Sequence, residues 1–238
     1  MSDSSTLNFQ DSPSSNAAID PRWVVVYGGG GHAKAVIELI EAEGKYSVAG
    51  ILDDSLPQGS TLLGKPVLGG GEALLHLKER GIGQVVNAVG GITDIHPRLA
   101  IYDRILAAGL TVPDVVHPRA WVEKSAQLHG GAQILCNTYV GSDNRIGFGC
   151  LMNVGVILSH DCVLGDFVNL SPGAILAGNV QVGPRTRIGM GVTINLGIHV
   201  GSDVRIGNSA VIKKDVPDGK IVHAGEIWPR PRIYSMSA

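Results

Sequence analysis

Between Val116 and Val216 the chain repeats every six residues, and that repeat leaves few folds open. Stepping six at a time from Val116 through Val122, Leu128 and Ile134 to Ile212 meets seventeen positions, all Val, Leu, Ile or Met. Four places after each stands a residue that is nearly always small or β-branched, such as Ala132, Cys150, Cys162, Val180 or Thr186. A helix would repeat near 3.6 residues and a half-buried strand at 2, so neither yields a strict six. One large and one small inward residue per hexad is the pattern of a parallel β-helix, where each short strand forms one side of a coil. Three hexads make a triangular coil of eighteen residues, so residues eighteen apart stack along the axis. The expected fold of this half is a parallel β-helix of hexapeptide repeats, over residues 113–220, followed by a tail over 221–238 that loses the period.

The other half reads differently. Residues 1–20 are rich in Ser, Asp and Asn and are expected to form a disordered arm. From Arg22 apolar runs alternate with helical patterns. The runs are Trp23–Tyr27, Val48–Leu52 and Val85–Val89, with a short extension at Leu62–Leu68; helices are expected over Ala33–Glu43, near Glu72–Arg80 and over Pro97–Ala108. That alternation implies a small Rossmann-like α/β domain with a parallel sheet over residues 22–112. Its first strand runs into Gly28-Gly29-Gly30-Gly31-His32, which fits G-x-G-x-x-A as Gly28-x-Gly30-x-x-Ala33. Such glycines let backbone amides approach a phosphate at a helix start. A domain of this size holds about half of a dinucleotide-binding unit, so a nucleotide or nucleotide-sugar is the better-sized ligand. Asp53-Asp54 and Gly90-Gly91 end their strands at the same sheet edge, where carboxylates can take ribose hydroxyls or a base edge.

Composition narrows the partners. With 19 basic and 21 acidic residues and a formal charge of −2, the chain has no electrostatic footprint for nucleic acid or an anionic membrane. No apolar run approaches the roughly 18 residues of a membrane span, and the N-terminus lacks a signal-peptide pattern, so a soluble cytoplasmic protein is expected. Cys150 and Cys162 fall at the small inward position and read as core residues, not a disulfide framework or zinc site. No two of the solenoid histidines His117, His129, His160 and His199 differ by a multiple of eighteen, so they do not stack, and no metal is expected.

His160 differs from the others in its setting. It occupies an outward third place in its hexad and is followed by Asp161, whereas His117, His129 and His199 have no adjacent carboxylate. One coil later its stacking partner is Gly178, which leaves backbone and space beside the imidazole. Histidine takes protons near neutral pH, a nearby carboxylate strengthens it as a base, and an exposed amide can hold an oxyanion. From residue type alone an ordinary exposed histidine is the competing reading.

The combination of Val25-Val26-Tyr27-Gly28-Gly29-Gly30-Gly31-His32, Leu52-Asp53-Asp54 and Ser159-His160-Asp161-Cys162-Val163-Leu164-Gly165-Asp166 resembles the acetyltransferases of bacterial amino-sugar pathways. These include the UDP-amino-sugar N-acetyltransferases of bacillosamine synthesis, the GDP-perosamine N-acetyltransferases and the sialic acid O-acetyltransferase-like group. The resemblance covers roughly residues 22–225. It implies a homotrimer of left-handed β-helices, with acetyl-CoA between neighbouring subunits and a nucleotide-linked amino sugar on the α/β domain. By the same resemblance His160 is general base with Asp161 in support. Asn169, Gly178, Met190 and Asn208 meet the coenzyme, with the Gly178 amide on the thioester oxygen. Gly30, Gly31, His32, Asp53, Asp54 and Gly90 hold the nucleotide, and Asn153 lies near the reacting amine. Two departures stand out: Asn169 replaces a second histidine of bacillosamine-type members, and His223-Ala224-Gly225-Glu226-Ile227-Trp228 replaces the usual Gly-x-Pro-Ala. The expected activity is N-acetyl transfer without an acyl-enzyme. The alternatives are a sugar O-acetyltransferase, whose ester product mild alkali would hydrolyse, and a non-catalytic trimeric scaffold, which would bind neither coenzyme A nor nucleotide.

Overall fold

The structure, a computed structural model, describes residues 19–230. The arm expected over residues 1–20 falls almost wholly outside that range, as do residues 231–238. The chain divides into two compact units at Pro113/Asp114.

The first unit is built on β1 (Trp23–Tyr27), an interior strand of a five-stranded sheet. Val24, Val25 and Val26 are fully buried, as a strand covered on both faces requires. β1 pairs in parallel with β2 (Ser47–Leu52) and with the edge strand β5 (Gln84–Asn87). Beyond β2 lies β4 (Lys65–Gly69), parallel to it, and then the short antiparallel β3 (Thr61–Leu62). Helix α1 (Gly31–Glu43) buries Ala33, Val36, Ile37 and Ile40, an apolar stripe at three- and four-residue spacing, and ends on a left-handed Gly44. Helix α2 (His96–Ala107) buries Arg98, Ile101, Tyr102 and Ile105. The helix expected near Glu72–Arg80 is instead two 3-10 turns, Gly71–His76 and Lys78–Arg80. Its buried Leu74 and Leu77 are three apart, which suits a three-residue turn. β5 stops two residues earlier than the apolar run, because the Val89 N–H turns to the Asn87 side chain at 3.0 Å.

The second unit is a parallel β-helix. Two-residue strands recur every six residues from Val115–Val116 to Val211–Ile212 and stack into three sheets in which each residue pairs with the one eighteen further on. The large aliphatic and small positions interleave into one continuous core, with Ile146, Cys150, Met152, Val156 and Leu158 fully buried. Glycine serves two separate needs at the corners. Directly after the aliphatic residue, a Cβ on Gly147 would lie 2.6 Å from the Gly165 carbonyl carbon in the next coil, so close stacking demands a small residue. Two places later the backbone has positive φ in every hexad from Gly131 to Ser209, whether the residue is Gly, Asn or Asp, or as bulky as Phe167 and Arg185.

The tail does not lose the period, contrary to expectation; it slips once. Ile206 pairs with Val222 and Ile212 with Trp228, sixteen residues on instead of eighteen. One corner is two residues shorter, so Val216 becomes the large inward residue of a new hexad and Val222 and Trp228 continue it. The shortened turn is Lys213-Lys214-Asp215, between Ile212 and Val216, where the Asp215 carboxylate accepts the His199 N–H at 2.8 Å. A search at constant spacing loses register there.

Candidate active site

The residues singled out by sequence fall into separate groups. In the α/β unit a cleft of about 300 Å³ opens at the carboxyl ends of β1 and β2, lined by Tyr27, Gly28, Asp53, Asp54, Val89 and Ile101 among others. Gly28 shapes its floor. It has φ +119°, and a Cβ there would meet the Ala88 carbonyl at 3.0 Å. Gly30 caps α1 without a side-chain partner, and Gly30, Gly31 and Gly90 each have open space where a Cβ would stand. These three and the half-buried His32 flank the loop and do not line the cleft.

The two aspartates are already engaged. Asp53 accepts the Gly29 N–H at 2.6 Å on one oxygen and the Ser55 and Leu56 N–H groups at 2.8 and 3.0 Å on the other. It ties the glycine loop to the turn after β2. Asp54 accepts the Gly71 N–H at 2.7 Å and the Tyr27 hydroxyl at 3.1 Å, with Arg104 3.4 Å away. The Gly71 N–H first, then Tyr27 and Arg104, hold its carboxyl below the usual carboxylate value. Burial pushes the Tyr27 phenol up to about 12, so it stays a hydrogen-bond donor. Sequence reasoning missed Tyr27, Arg104, Asn87 and Arg98. Tyr27 and Asn87 look like ordinary strand ends, and the arginines look like the polar face of α2; only long-range pairing reveals them.

In the β-helix His160, Asp161 and Gly178 meet at one corner. His160 Nδ1 lies 2.7 Å from Asp161 Oδ2, with both side chains more than half exposed. Asp161 occupies the left-handed corner position at φ +58°, a conformation aspartate tolerates, and this turns its carboxylate back to the imidazole. With Nδ1 donating to that carboxylate, Nε2 carries the free lone pair. A Cβ at residue 178 would stand 2.6 Å from Nε2, so the ring lies directly over Gly178. The Gly178 amide is also available. At other corners the third-place N–H donates to an acceptor side chain one coil on, as Phe148 does to Asp166 and Met190 to Asn208. The residue one coil beyond Gly178 is Leu196, which has no acceptor, and among the described residues the Gly178 N–H makes no hydrogen bond.

The remaining positions lie elsewhere on the same coils. Asn153, Met190 and Asn208 belong to the next but one corner, where the Asn153 side chain accepts the Val154 N–H at 2.8 Å. Asn169 sits on the sheet face between Leu151 and Arg187, 3 % exposed, and among the described residues neither carboxamide atom has a hydrogen-bond partner. Cys162, beside the histidine in sequence, is fully buried; its thiol points to the Ala177 carbonyl at 3.2 Å, and burial pushes it up to about 11. Among the described residues no cluster of three or more His, Cys, Asp or Glu is placed to hold a metal, and no helix is long and apolar enough to cross a membrane.

An α/β unit followed by a hexad solenoid with a histidine–acid corner defines a hexapeptide-repeat acyltransferase. Residues 23–105 match the family described as PglD N-terminal domain, and residues 155–196 match bacterial transferase hexapeptide (six repeats). The chain is 33 % identical to PerB from Caulobacter crescentus, solved with CoA and GDP-perosamine. That match has a TM-score of 0.80 and covers 88 % of this chain and 97 % of PerB. It is 35 % identical to the acetyltransferase domain of PglB from Neisseria gonorrhoeae FA1090, solved with acetyl coenzyme A, at TM-score 0.79 over 86 % of this chain and 97 % of that domain. The chain belongs to the bacillosamine-type family of bacterial N-acetyltransferases that includes these proteins, and its solenoid is accordingly a left-handed β-helix. It is an acetyl-CoA-dependent acyltransferase.

Proposed function

We propose that the chain transfers acetyl from acetyl-CoA to the free amine of a nucleotide-linked amino sugar, with His160 as general base. The observation that carries this reading is the His160 corner, where Nε2 lies over an unbonded Gly178 amide. As the amine attacks the thioester carbonyl, Nε2 takes its proton and the developing oxyanion accepts the Gly178 N–H. The Asp161 carboxylate fixes the tautomer and stabilises the imidazolium. Collapse of the tetrahedral intermediate releases the coenzyme thiolate, and the amide product forms in one displacement. An acyl-enzyme at Cys162 has no support, because that thiol is buried and its pKa raised.

A sugar nucleotide, the ligand class that GDP-perosamine bound to PerB supports, is assigned to the cleft of the α/β unit. Gly30, Gly31, His32 and Gly90 are placed at its phosphate side, and Asp53 and Asp54 order its walls. The coenzyme is assigned to Asn169, Gly178, Met190 and Asn208, and the amine to Asn153. A buried carboxamide with no partner is costly, and an amide of the pantetheine arm would satisfy Asn169. These residues lie on different edges of one triangular prism, so a complete site needs a second chain, and we assign a homotrimer with shared sites. The outward column Trp121, Tyr139, Ile157, Ile175 and Ile227, all more than a third exposed, is an apolar stripe suited to that contact. A cytoplasmic location is the reading that the supply of acetyl-CoA and nucleotide sugars supports.

The decisive measurement is His160→Ala, assayed for turnover and for acetyl-CoA binding. Turnover should fall by about 10³-fold, with coenzyme affinity within a few-fold of wild type. Near-normal turnover would remove His160 from the mechanism.

A further inference from the structure

Arg98 on α2 is 2 % exposed, yet it carries a full charge. Its Nη1 donates to the Val89 carbonyl at 2.8 Å and the Asn87 carbonyl at 3.3 Å; its Nη2 donates to the Tyr102 hydroxyl at 2.9 Å. The guanidinium also lies 5.2 Å from the centre of the Tyr102 ring. None of these partners is a carboxylate, and among the described residues none lies within ion-pair distance of Arg98. Asp94, one helical turn earlier, pairs with His96. A buried cation whose direct partners are all dipoles is expensive, because no ion pair at contact neutralises it.

The field emerges at the nucleotide cleft. Val89, whose carbonyl the guanidinium holds, lines that cleft, as do Pro97 and Ile101 on either side of Arg98 in α2. The Val89–Gly90 peptide is planar and trans, so holding the carbonyl against Arg98 points the Gly90 N–H the opposite way. That N–H makes no hydrogen bond among the described residues, and a Cβ on Gly90 would meet nothing within 4 Å. Gly91 packs against the arginine stem, where a Cβ would lie 3.2 Å from Cδ. A buried positive charge behind an outward amide is an anion subsite without any exposed basic side chain.

We propose that Arg98 is a positioning residue for the diphosphate of the nucleotide: it supplies buried positive charge beneath the end of β5 and directs the Gly90 N–H to a phosphate oxygen. The proposal rests on the assignment of the nucleotide to this cleft. It makes the diphosphate, more than the nucleoside, the part that the β5 edge recognises.

Calorimetric titration of the full-length protein with GDP and guanosine, and with UDP and uridine, tests it in wild type, Arg98→Met and Arg98→Lys. The readout is the ratio of nucleoside Kd to nucleoside-diphosphate Kd for whichever base binds. In Arg98→Met that ratio should fall at least tenfold while nucleoside affinity stays within about twofold, and Arg98→Lys should keep it within about threefold of wild type. An unchanged ratio in the Met variant, or a Lys variant as poor as Met, would overturn the proposal. If Arg98→Met does not fold, Arg98→Gln, which keeps a donor for the Val89 carbonyl, replaces it; failure of both neutral variants assigns Arg98 to the scaffold alone. Wild type that binds no nucleotide at all would remove the nucleotide assignment itself, whereas diphosphate binding indifferent to residue 98 would remove only this role.

Discussion

The two units place their functional groups by opposite means. In the β-helix the position of a side chain follows from its place in a hexad. Inward residues are buried, third-place residues stand on corners, and partners lie eighteen residues apart, as His160 and Gly178 do. Each group has few contacts, so His160 depends on one neighbouring carboxylate and one missing side chain. In the α/β unit each cleft residue is tied across long sequence separations: Asp53 to Gly29, Asp54 to Gly71, Tyr27 to Arg104, Asn87 to Arg98. The solenoid therefore exposes its chemistry on a rigid, repetitive edge, and the α/β unit ties its own into a network. A change in the first should affect rate while sparing the fold. A change in the second should affect fold and nucleotide binding together.

Gly178→Ala probes the first half of that contrast most severely. The new Cβ would stand 2.6 Å from the imidazole, at a corner whose backbone needs no rearrangement, so the ring must swing off the amide. Turnover should fall by about 10²-fold with the melting temperature within a degree or two of wild type. A cooperative loss of stability matching the loss of rate would show that the corner is not independent of the core.

Gly28→Ala is the counterpart in the α/β unit. Both its positive φ and the Ala88 backbone 3.0 Å from the added carbon oppose the substitution. Denaturant unfolding should show a loss of about 2 kcal/mol, with nucleotide affinity falling in step. A variant as stable as wild type would mean that the glycine loop is looser than its packing indicates.

The smallest effect is expected from Asp54→Asn. The folded-state pKa of Asp54 lies below its ordinary 3.8, so its contribution is present above the unfolded value and is lost as pH falls through the lowered folded value. The asparagine variant should unfold at more nearly constant denaturant concentration between about pH 5 and pH 2, while wild type weakens towards acid. Because the carboxylate is more than half exposed, solvent screening keeps the difference small. Identical acid profiles would reduce the Tyr27–Asp54–Arg104 cluster to a surface contact.

Much of this molecule was legible in the chain because a six-residue period is both local and repeated. Residue type and spacing together separated inward Cys162 from outward His160 and set Gly178 one coil above it. The same regularity hid two things. Glycine directly after the aliphatic, in seven hexads from Gly141 to Gly207, was visible, but the left-handed position two places later was not, since Asn, Asp, Phe and Arg also fill it. Constant spacing also missed the two-residue slip before Val216, which returns Val222 and Trp228 to the core. In the α/β unit the glycine loop and strand ends were readable. The engagement of Asp53 and Asp54 by backbone amides, and the buried charge of Arg98, were not. The sequence alone determined the coil and the histidine–acid corner, since both are built from neighbours in the chain or in the period. Tertiary structure decided which polar groups are buried and which amides are left open. Those depend on hydrogen bonds between residues from 9 to 77 apart, a range over which the α/β half has no period.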